Sequence, residues 1–414
     1  MNNEEKITNV ILAAADTGEY DMDSSLRELE ELTQTAGGCV VGTIVQKRPA
    51  FDAGTCIGTG RLEELAEACV NLDAQLIVFD HELSATQIRN IEEITNIRTI
   101  DRTMLILDIF AGRARSSEGK LQVELALQKY RLPRLTGMGI EMSRMGGGIG
   151  AKGPGETKLE TDKRHIRRRI AVLEEELSEL KERRERQRAR RKKDNILTAA
   201  IVGYTNVGKS TLLNALTQAG VLAENKLFAT LDTTSRSIEL PDGRSVMLID
   251  TVGLIRRLPH NLVEAFKSTL EEAADADIII EVIDSSSDEA NEQIMVTQDL
   301  LEELKCSDTP HIYVFNKCDK QCNAISLPKD LPCVRISALN KTGFDELIRC
   351  ITENLPQTSK NMNLCIPYSD ANIINKIREN GKILSEEYTL EGIKTQALVD
   401  IKLQKLCSQY IIND

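Results

Sequence analysis

Four short segments occur along this chain in a fixed order and at the spacing of a single domain: Gly203-Tyr204-Thr205-Asn206-Val207-Gly208-Lys209-Ser210, Asp250-Thr251-Val252-Gly253, Asn316-Lys317-Cys318-Asp319 and Ser337-Ala338-Leu339. The first has the phosphate-loop pattern, with Thr211 continuing into a helix. Its glycines let backbone N–H groups close on phosphates, Lys209 neutralises the terminal ones and the Ser210 hydroxyl suits Mg²⁺. Alone it implies only a nucleotide. The Asn-Lys-x-Asp segment narrows this, because the Asp319 carboxylate can accept from both the ring N–H and the exocyclic amine of guanine. Adenine offers no such donor pair on that edge. Taken in order, the four segments imply a chain that binds and hydrolyses GTP, with Lys209 and Gly253 as catalytic candidates beside the Mg²⁺.

The neighbouring sequence supplies the context these motifs need. Residues 198–202 form an apolar, strand-like run that ends at Gly203, and residues 210–216 read as a helix. Residues 246–249 form a second buried strand that delivers Asp250 to its C-terminal end, where a Mg²⁺-side carboxylate belongs in an open α/β sheet. Further apolar runs at 278–283 and 312–315, with charged helical stretches between them, predict a doubly wound, mostly parallel sheet. The expected fold class is α/β in four parts: an N-terminal α/β domain (1–112), a helical hairpin with a Gly-rich loop and a basic arm (113–195), the nucleotide domain (196–356) and a small C-terminal α+β appendage (357–414).

Composition excludes several other classes. No apolar run approaches the ~20 residues that span a bilayer, and the first six residues have neither a basic nor an apolar signal region, so a cytoplasmic chain without a membrane anchor is expected. The ten cysteines include no Cys-x-x-Cys pair, and with four histidines they suggest neither a zinc site nor a disulfide framework. The formal net charge of −12 argues against general nucleic-acid affinity. It conceals an asymmetry, however, since residues 163–193 carry 14 Lys/Arg against 6 Glu, a local +8.

Within that basic stretch Ile166, Ile170, Leu173, Leu177 and Leu180 form a heptad-like seam, and a matching face of Leu121, Leu125, Gln128 and Leu132 on a helix over 118–132 predicts an antiparallel hairpin. Residues 186–193 hold six cations and no carboxylate, which reads either as a solvated helix or as a phosphate-binding tip. The intervening loop contains a formal Gly-x-Gly-x-x-Gly from Gly148 to Gly153. No strand precedes it, so it reads as a flexible tip or a backbone surface for RNA rather than a dinucleotide site. In the N-terminal part, strands near 10–13, 39–45, 75–79 and 98–100 alternate with helices near 24–36, 60–71 and 84–95. Gly58-Thr59-Gly60-Arg61 reads as a tight turn and Asp80-His81-Glu82 as a loop or helix cap. In the tail, a helix over 370–381 and a strand over 397–403 are expected, with no visible chemistry.

Three longer segments carry a resemblance: Glu118-Gly119-Lys120-Leu121-Gln122-Val123-Glu124-Leu125, the run from Gly148-Ile149-Gly150 through Gly153-Pro154-Gly155-Glu156-Thr157-Lys158-Leu159-Glu160-Thr161-Asp162, and Phe228-Ala229-Thr230-Leu231-Asp232. Together they resemble the HflX GTPases over about residues 8–355. The resemblance implies Phe228 to Asp232 as part of the nucleotide site and Thr230 as the switch Thr that joins Ser210 on Mg²⁺. It also implies a partner, the large ribosomal subunit and its rRNA, bound through the N-terminal domain by a protein that separates stalled ribosomes during stress and is monomeric when free. Thr233 stands where family members often have Pro. The alternative function is a signalling or assembly switch that acts through protein partners.

Leu254 follows Gly253 where Ras-like proteins carry a water-positioning Gln. Leu has no group to orient water, so intrinsic hydrolysis is expected to be slow until a partner completes the site. Asn206 together with Leu254 resembles GTPases in which K⁺ beside the phosphates supplies positive charge; in the alternative, Asn206 merely braces the loop.

Overall fold

A computed structural model of the chain describes residues 8–135, 154–194, 196–217, 227–228, 234–257, 272–306, 309–323, 325, 331–357 and 359–412. The chain divides into two compact units. One comprises residues 1–181 with 224–232 and 257–268; the other comprises 182–223, 233–256 and 269–414.

The first unit is built on a four-stranded, wholly parallel sheet of β1 (Thr8–Asp16), β2 (Gly38–Lys47), β3 (Leu76–Phe79) and β4 (Arg98–Asp101), in the order β2-β1-β3-β4. The crossovers are α1 (Met22–Thr35), α2 (Thr59–Asn71) and α3 (Ala85–Thr95). Parallel strands need such crossovers, and their near-continuous apolar runs are buried accordingly. Ile11, Ala13, Ile77 and Phe79 meet Leu62, Leu65 and Ile91 in one core. Local signals fix the helix starts: Ser84 and Gln87 form a reciprocal capping box on α3, and Asp101 caps α4 (Arg102–Arg113) by accepting from Met104 N. Gly58 is the extended N-cap of α2, and Thr59, Gly60 and Arg61 form the first turn of that helix instead of the tight turn expected from sequence.

Asp80 is more than the loop or cap residue expected from sequence. It is fully buried and accepts from Arg102 Nη1 (3.0 Å), Arg257 Nη2 (2.6 Å), Ser25 Oγ (2.8 Å) and Tyr20 Oη (3.2 Å). Burial opposes its ionisation, but Arg102 and Arg257 outweigh burial and hold the carboxyl below its ordinary range.

The predicted hairpin helices form as α5 (Ser117–Arg134) and α6 (Pro154–Lys193). Their apolar faces differ in part from expectation. On α5 the buried stripe is Gly119, Gln122, Val123, Leu125, Ala126 and Tyr130, whereas Leu121, Gln128 and Leu132 are half-buried. On α6 Leu173 is buried and Ile166, Ile170, Leu177 and Leu180 are half-buried. Arg169 to Glu124 (2.6 and 2.7 Å) and Lys129 to Glu174 (3.1 Å) tie the two helices. The Gly-rich loop, including Gly148 to Gly153, lies outside the described residues.

The second unit carries a six-stranded sheet of β5 (Leu197–Val202), β6 (Thr234–Glu239), β7 (Ser245–Asp250), β8 (Ile278–Asp284), β9 (His311–Asn316) and β10 (Cys333–Arg335). The order is β10-β9-β8-β5-β7-β6; β6 runs antiparallel to β7 and every other pairing is parallel. Around it lie α7 (Lys209–Thr217), α8 (Ala290–Glu303) and α9 (Phe344–Asn354). This is the doubly wound, mostly parallel sheet predicted from sequence. The tail adds an antiparallel sheet of β11 (Ser359–Ile366), β12 (Lys382–Thr389) and β13 (Gly392–Asp400), with α10 (Asn372–Asn380) against it. Residues 401–403 begin a helix, α11 (Ile401–Cys407), instead of extending a strand. Pairing of β13 with β11 ends at Asp400 opposite Ser359, and among the described residues the chain beyond has no strand partner there.

The basic stretch over 186–193 is not a tip. It is the last two turns of α6, which lead directly into β5. Arg188 pairs with Glu272 (3.0 Å) and Asp275 (2.5 Å), and Arg191 with Glu272 (3.4 Å). With Arg190, which pairs with Asp194 at 3.8 Å, three of the six cations thus serve as ion-pair partners inside the second unit.

Candidate active site

The C-terminal ends of β5, β7, β8 and β9 gather the motif residues in the second unit, where an open parallel sheet presents its ligand crevice. The phosphate-loop pattern runs from β5 into α7. Gly208 has φ +100° and would place a Cβ 2.4 Å from Asn316 Nδ2; only glycine fits both the dihedral and the space. At Gly253 a Cβ would meet Thr205 Cγ2 at 2.9 Å and Lys209 Nζ at 3.1 Å, so close approach to the loop demands glycine there.

Lys209 Nζ is buried and donates to the carbonyls of Gly203 (3.0 Å) and Tyr204 (2.7 Å). Burial lowers this ammonium to about 8 against the opposing pull of Asp250. Ser210 Oγ donates to Asp250 Oδ2 at 2.7 Å, which places a hydroxyl and a carboxylate side by side. This all-oxygen pair fits a hard divalent cation such as Mg²⁺. The Asp250-x-x-Gly segment is bound edge to edge with the loop. Thr205 N donates to Leu254 O (2.8 Å), Leu254 N to Gly203 O (3.2 Å) and Thr251 Oγ1 to Ile201 O (2.8 Å). Val252 and Leu254 are buried, and Leu254 is part of this internal packing.

The base-reading segments are cross-linked to the phosphate loop. Asn316 Nδ2 donates to Val207 O (2.8 Å), while Asn316 Oδ1 accepts from Ala338 N (2.9 Å). Lys317 Nζ donates to Asn206 O (2.9 Å) and pairs with Asp284 (2.6 Å). Asp319 Oδ1 accepts from Ser337 Oγ at 2.5 Å, and this bond holds the carboxyl below its ordinary range. Leu339 is exposed, Ala338 is buried and Cys318 is half-buried.

Thus the structure brings together Gly203 to Thr211, Asp250 to Gly253, Asn316 to Asp319 and Ser337 to Leu339. Of the switch run, Phe228 groups with the first unit, where it meets Phe110 edge-on with ring centroids 4.6 Å apart. Ala229, Thr230, Leu231 and Asp232 lie outside the described residues.

Sequence reasoning missed three contributors. Asp284 closes β8 and orients Lys317. Ser285 ties the next residue to the Asn316 carbonyl, through its N–H at 3.0 Å and its Oγ at 2.6 Å. Arg256 donates its N–H to Tyr204 Oη at 2.9 Å, a further link between the loop and the segment after Gly253. The apolar run ending in Asp at 278–284 held a signal for the first, since a carboxylate at the end of a parallel strand faces the crevice. The other two depend on tertiary geometry.

Sheet order, phosphate loop and base-reading loop together define a P-loop GTPase. Comparison with known proteins gives the family. Residues 23–111 match the family model described as "GTP-binding GTPase N-terminal", 113–191 "GTP-binding GTPase Middle Region" and 198–317 "50S ribosome-binding GTPase". Proteins called GTPase HflX are similar over nearly the whole chain. The one from Caldanaerobacter subterraneus is 48% identical (94% of this chain, 91% of that one), from Lacrimispora saccharolytica 49% (95% and 94%) and from Escherichia coli 40% (92% and 88%). The chain belongs to the HflX GTPase family.

Proposed function

We propose that this GTPase acts on ribosomes, binding the large subunit in its GTP form and separating or rescuing stalled particles under stress, in the cytoplasm. The observation that supports this most is family membership over nearly the whole chain, with a nucleotide-domain model described as ribosome-binding. The ends of the three family models lie close to the boundaries near 112 and 195 in the division read from the sequence. In this reading Lys209 and the backbone N–H groups of residues 203–211 and Gly253 hold the phosphates. Asp319, oriented by Ser337, reads guanine. Ser210, with Asp250 beside it and Thr230 from the switch run, would hold Mg²⁺, which supplies charge neutralisation on the transferring phosphoryl group. Because Leu254 is packed inward and has no polar atom for a water, the free protein hydrolyses slowly and the ribosome completes the site.

One experiment tests both halves. The chain should cosediment with large ribosomal subunits in the presence of a non-hydrolysable GTP analogue and not with GDP. Asp319→Asn exchanges an acceptor for a donor and should transfer that dependence to the matching xanthine analogue. Cosedimentation indifferent to nucleotide would refute the ribosome reading, and undiminished GTP-analogue dependence in the variant would refute the role of Asp319.

A further inference from the structure

The loop that carries Asp319 also carries two thiols which the nucleotide reading does not use. Cys318 and Cys322 lie four residues apart across a turn closed by Lys320 N donating to Lys317 O (3.0 Å). Both sulfurs rest on one hydroxyl: Ser285 Oγ is 3.6 Å from Cys318 Sγ and 3.5 Å from Cys322 Sγ. That hydroxyl is fixed by its bond to Asn316 O, and the loop returns to the same residue through Asn323 N donating to Ser285 O at 2.9 Å. Cys322 is exposed and Cys318 half-buried.

We propose that Cys318 and Cys322 are a thiol-modification site, at which a hydroperoxide drives a reversible disulfide that closes the base-reading loop and weakens guanine-nucleotide binding. The inference rests on the assignment of residues 316–319 to guanine. The exposed Cys322 thiolate attacks one peroxide oxygen, the O–O bond breaks, and the departing oxygen takes a proton from solvent to leave as water or an alcohol. The resulting sulfenic acid is attacked at sulfur by Cys318. The S–S bond forms, the S–O bond breaks and hydroxide leaves with the Cys318 proton as water. Two thiols are oxidised and one hydroperoxide is reduced. Burial pushes the Cys318 thiol up, which leaves less of it as thiolate and assigns the first attack to the exposed Cys322.

A disulfide requires the sulfurs about 2 Å apart, so closing it replaces two separate contacts with the Ser285 hydroxyl by a covalent bond that constrains the turn. Asp319 sits inside the ring that closes. Its bond from Ser337, the Cys318 N–H to Ile336 O bond (3.1 Å) and the Lys317 contacts with Asn206 and Asp284 all flank the moving residue. A carboxylate that must meet two donors of one base edge loses that alignment when the backbone of its neighbour is displaced.

The test uses the full chain and a fluorescent GDP analogue, with affinity measured after reduction, after hydrogen peroxide and after re-reduction with dithiothreitol. Peptide mapping should find Cys318 joined to Cys322 with loss of two hydrogens. Affinity should fall at least about tenfold on oxidation and return on reduction. Cys322→Ser should match the wild type when reduced and lose the oxidative effect, and bound GDP should slow cross-linking. Failure of the reduced wild type to bind the analogue would sink the guanine assignment and this inference with it. Normal reduced binding with no Cys318–Cys322 link, a link without loss of affinity, or an oxidative loss that persists in Cys322→Ser would overturn the inference alone.

Discussion

Glu281 breaks the apolar run of β8 at its centre. It is buried, pairs in register with Val202 on one side and Tyr313 on the other, and among the described residues its two carboxyl oxygens have no hydrogen-bond partner. Burial pushes its carboxyl up to about 8, so at neutral pH the core holds a mostly neutral acid. The folded state then binds this proton more tightly than the unfolded chain. Its stabilising effect is complete below the ordinary Glu range near 4.5 and is lost as pH rises through about 8. Glu281→Gln removes the titration, so its stability profile should be flatter. Relative to wild type the variant should gain on the order of 4 kcal/mol between pH 5 and 8.5, measured by urea unfolding at three pH values. Parallel profiles would show that the carboxyl finds a partner. The sequence concealed this residue because one Glu in a strand otherwise composed of Ile, Val and Asp reads as an ordinary edge position, and only the register shows that neighbours flank it on both sides.

At the scale of elements, local chemistry was well written in the chain and distant partnership was not. Strands β1 to β5 and β7 to β9 could be read from short apolar runs, and the phosphate loop from glycines whose dihedrals or close contacts admit nothing else. The fate of residues 186–193 could not, because Glu272, the main partner of Arg188, lies 84 residues away. That pairing divides the stretch into two roles. Arg188 and Glu272 are largely buried, with side chains 13% and 11% exposed, so breaking the pair leaves a desolvated charge. Arg188→Gln should cost about 2 kcal/mol in thermal or urea denaturation and leave the salt dependence of ribosome association unchanged. Arg186, Lys192 and Lys193 are exposed. Replacing these three with Gln should leave stability within about 0.5 kcal/mol and flatten the cosedimentation salt series by up to about one unit per lost phosphate contact. An equal flattening by Arg188→Gln would mean that all of the cations act as one phosphate-binding surface.

At the scale of the whole molecule, the question is where the catalytic charge comes from once Leu254 is known to be packed inward. Leu254 offers no polar atom to align a water, so under the proposed function the activator is an external one, either the ribosome or a cation. Asn206 bears on the choice. Its backbone takes φ +62°, and its carbonyl is held by Lys317, itself anchored by Asp284. This main-chain clamp already braces the loop without the Asn side chain. The left-handed backbone at position 206 favours Asn over most residues, and its side-chain carbonyl in addition suits a hard monovalent ion beside the phosphates. Basal hydrolysis should accordingly be faster in potassium than in sodium at equal ionic strength. Asn206→Ala should abolish that difference while leaving GDP affinity within about threefold, since the Lys317 contact is made to the backbone. Equal rates in the two salts, with and without ribosomes, would remove the ion and leave the large subunit as the sole source of activation.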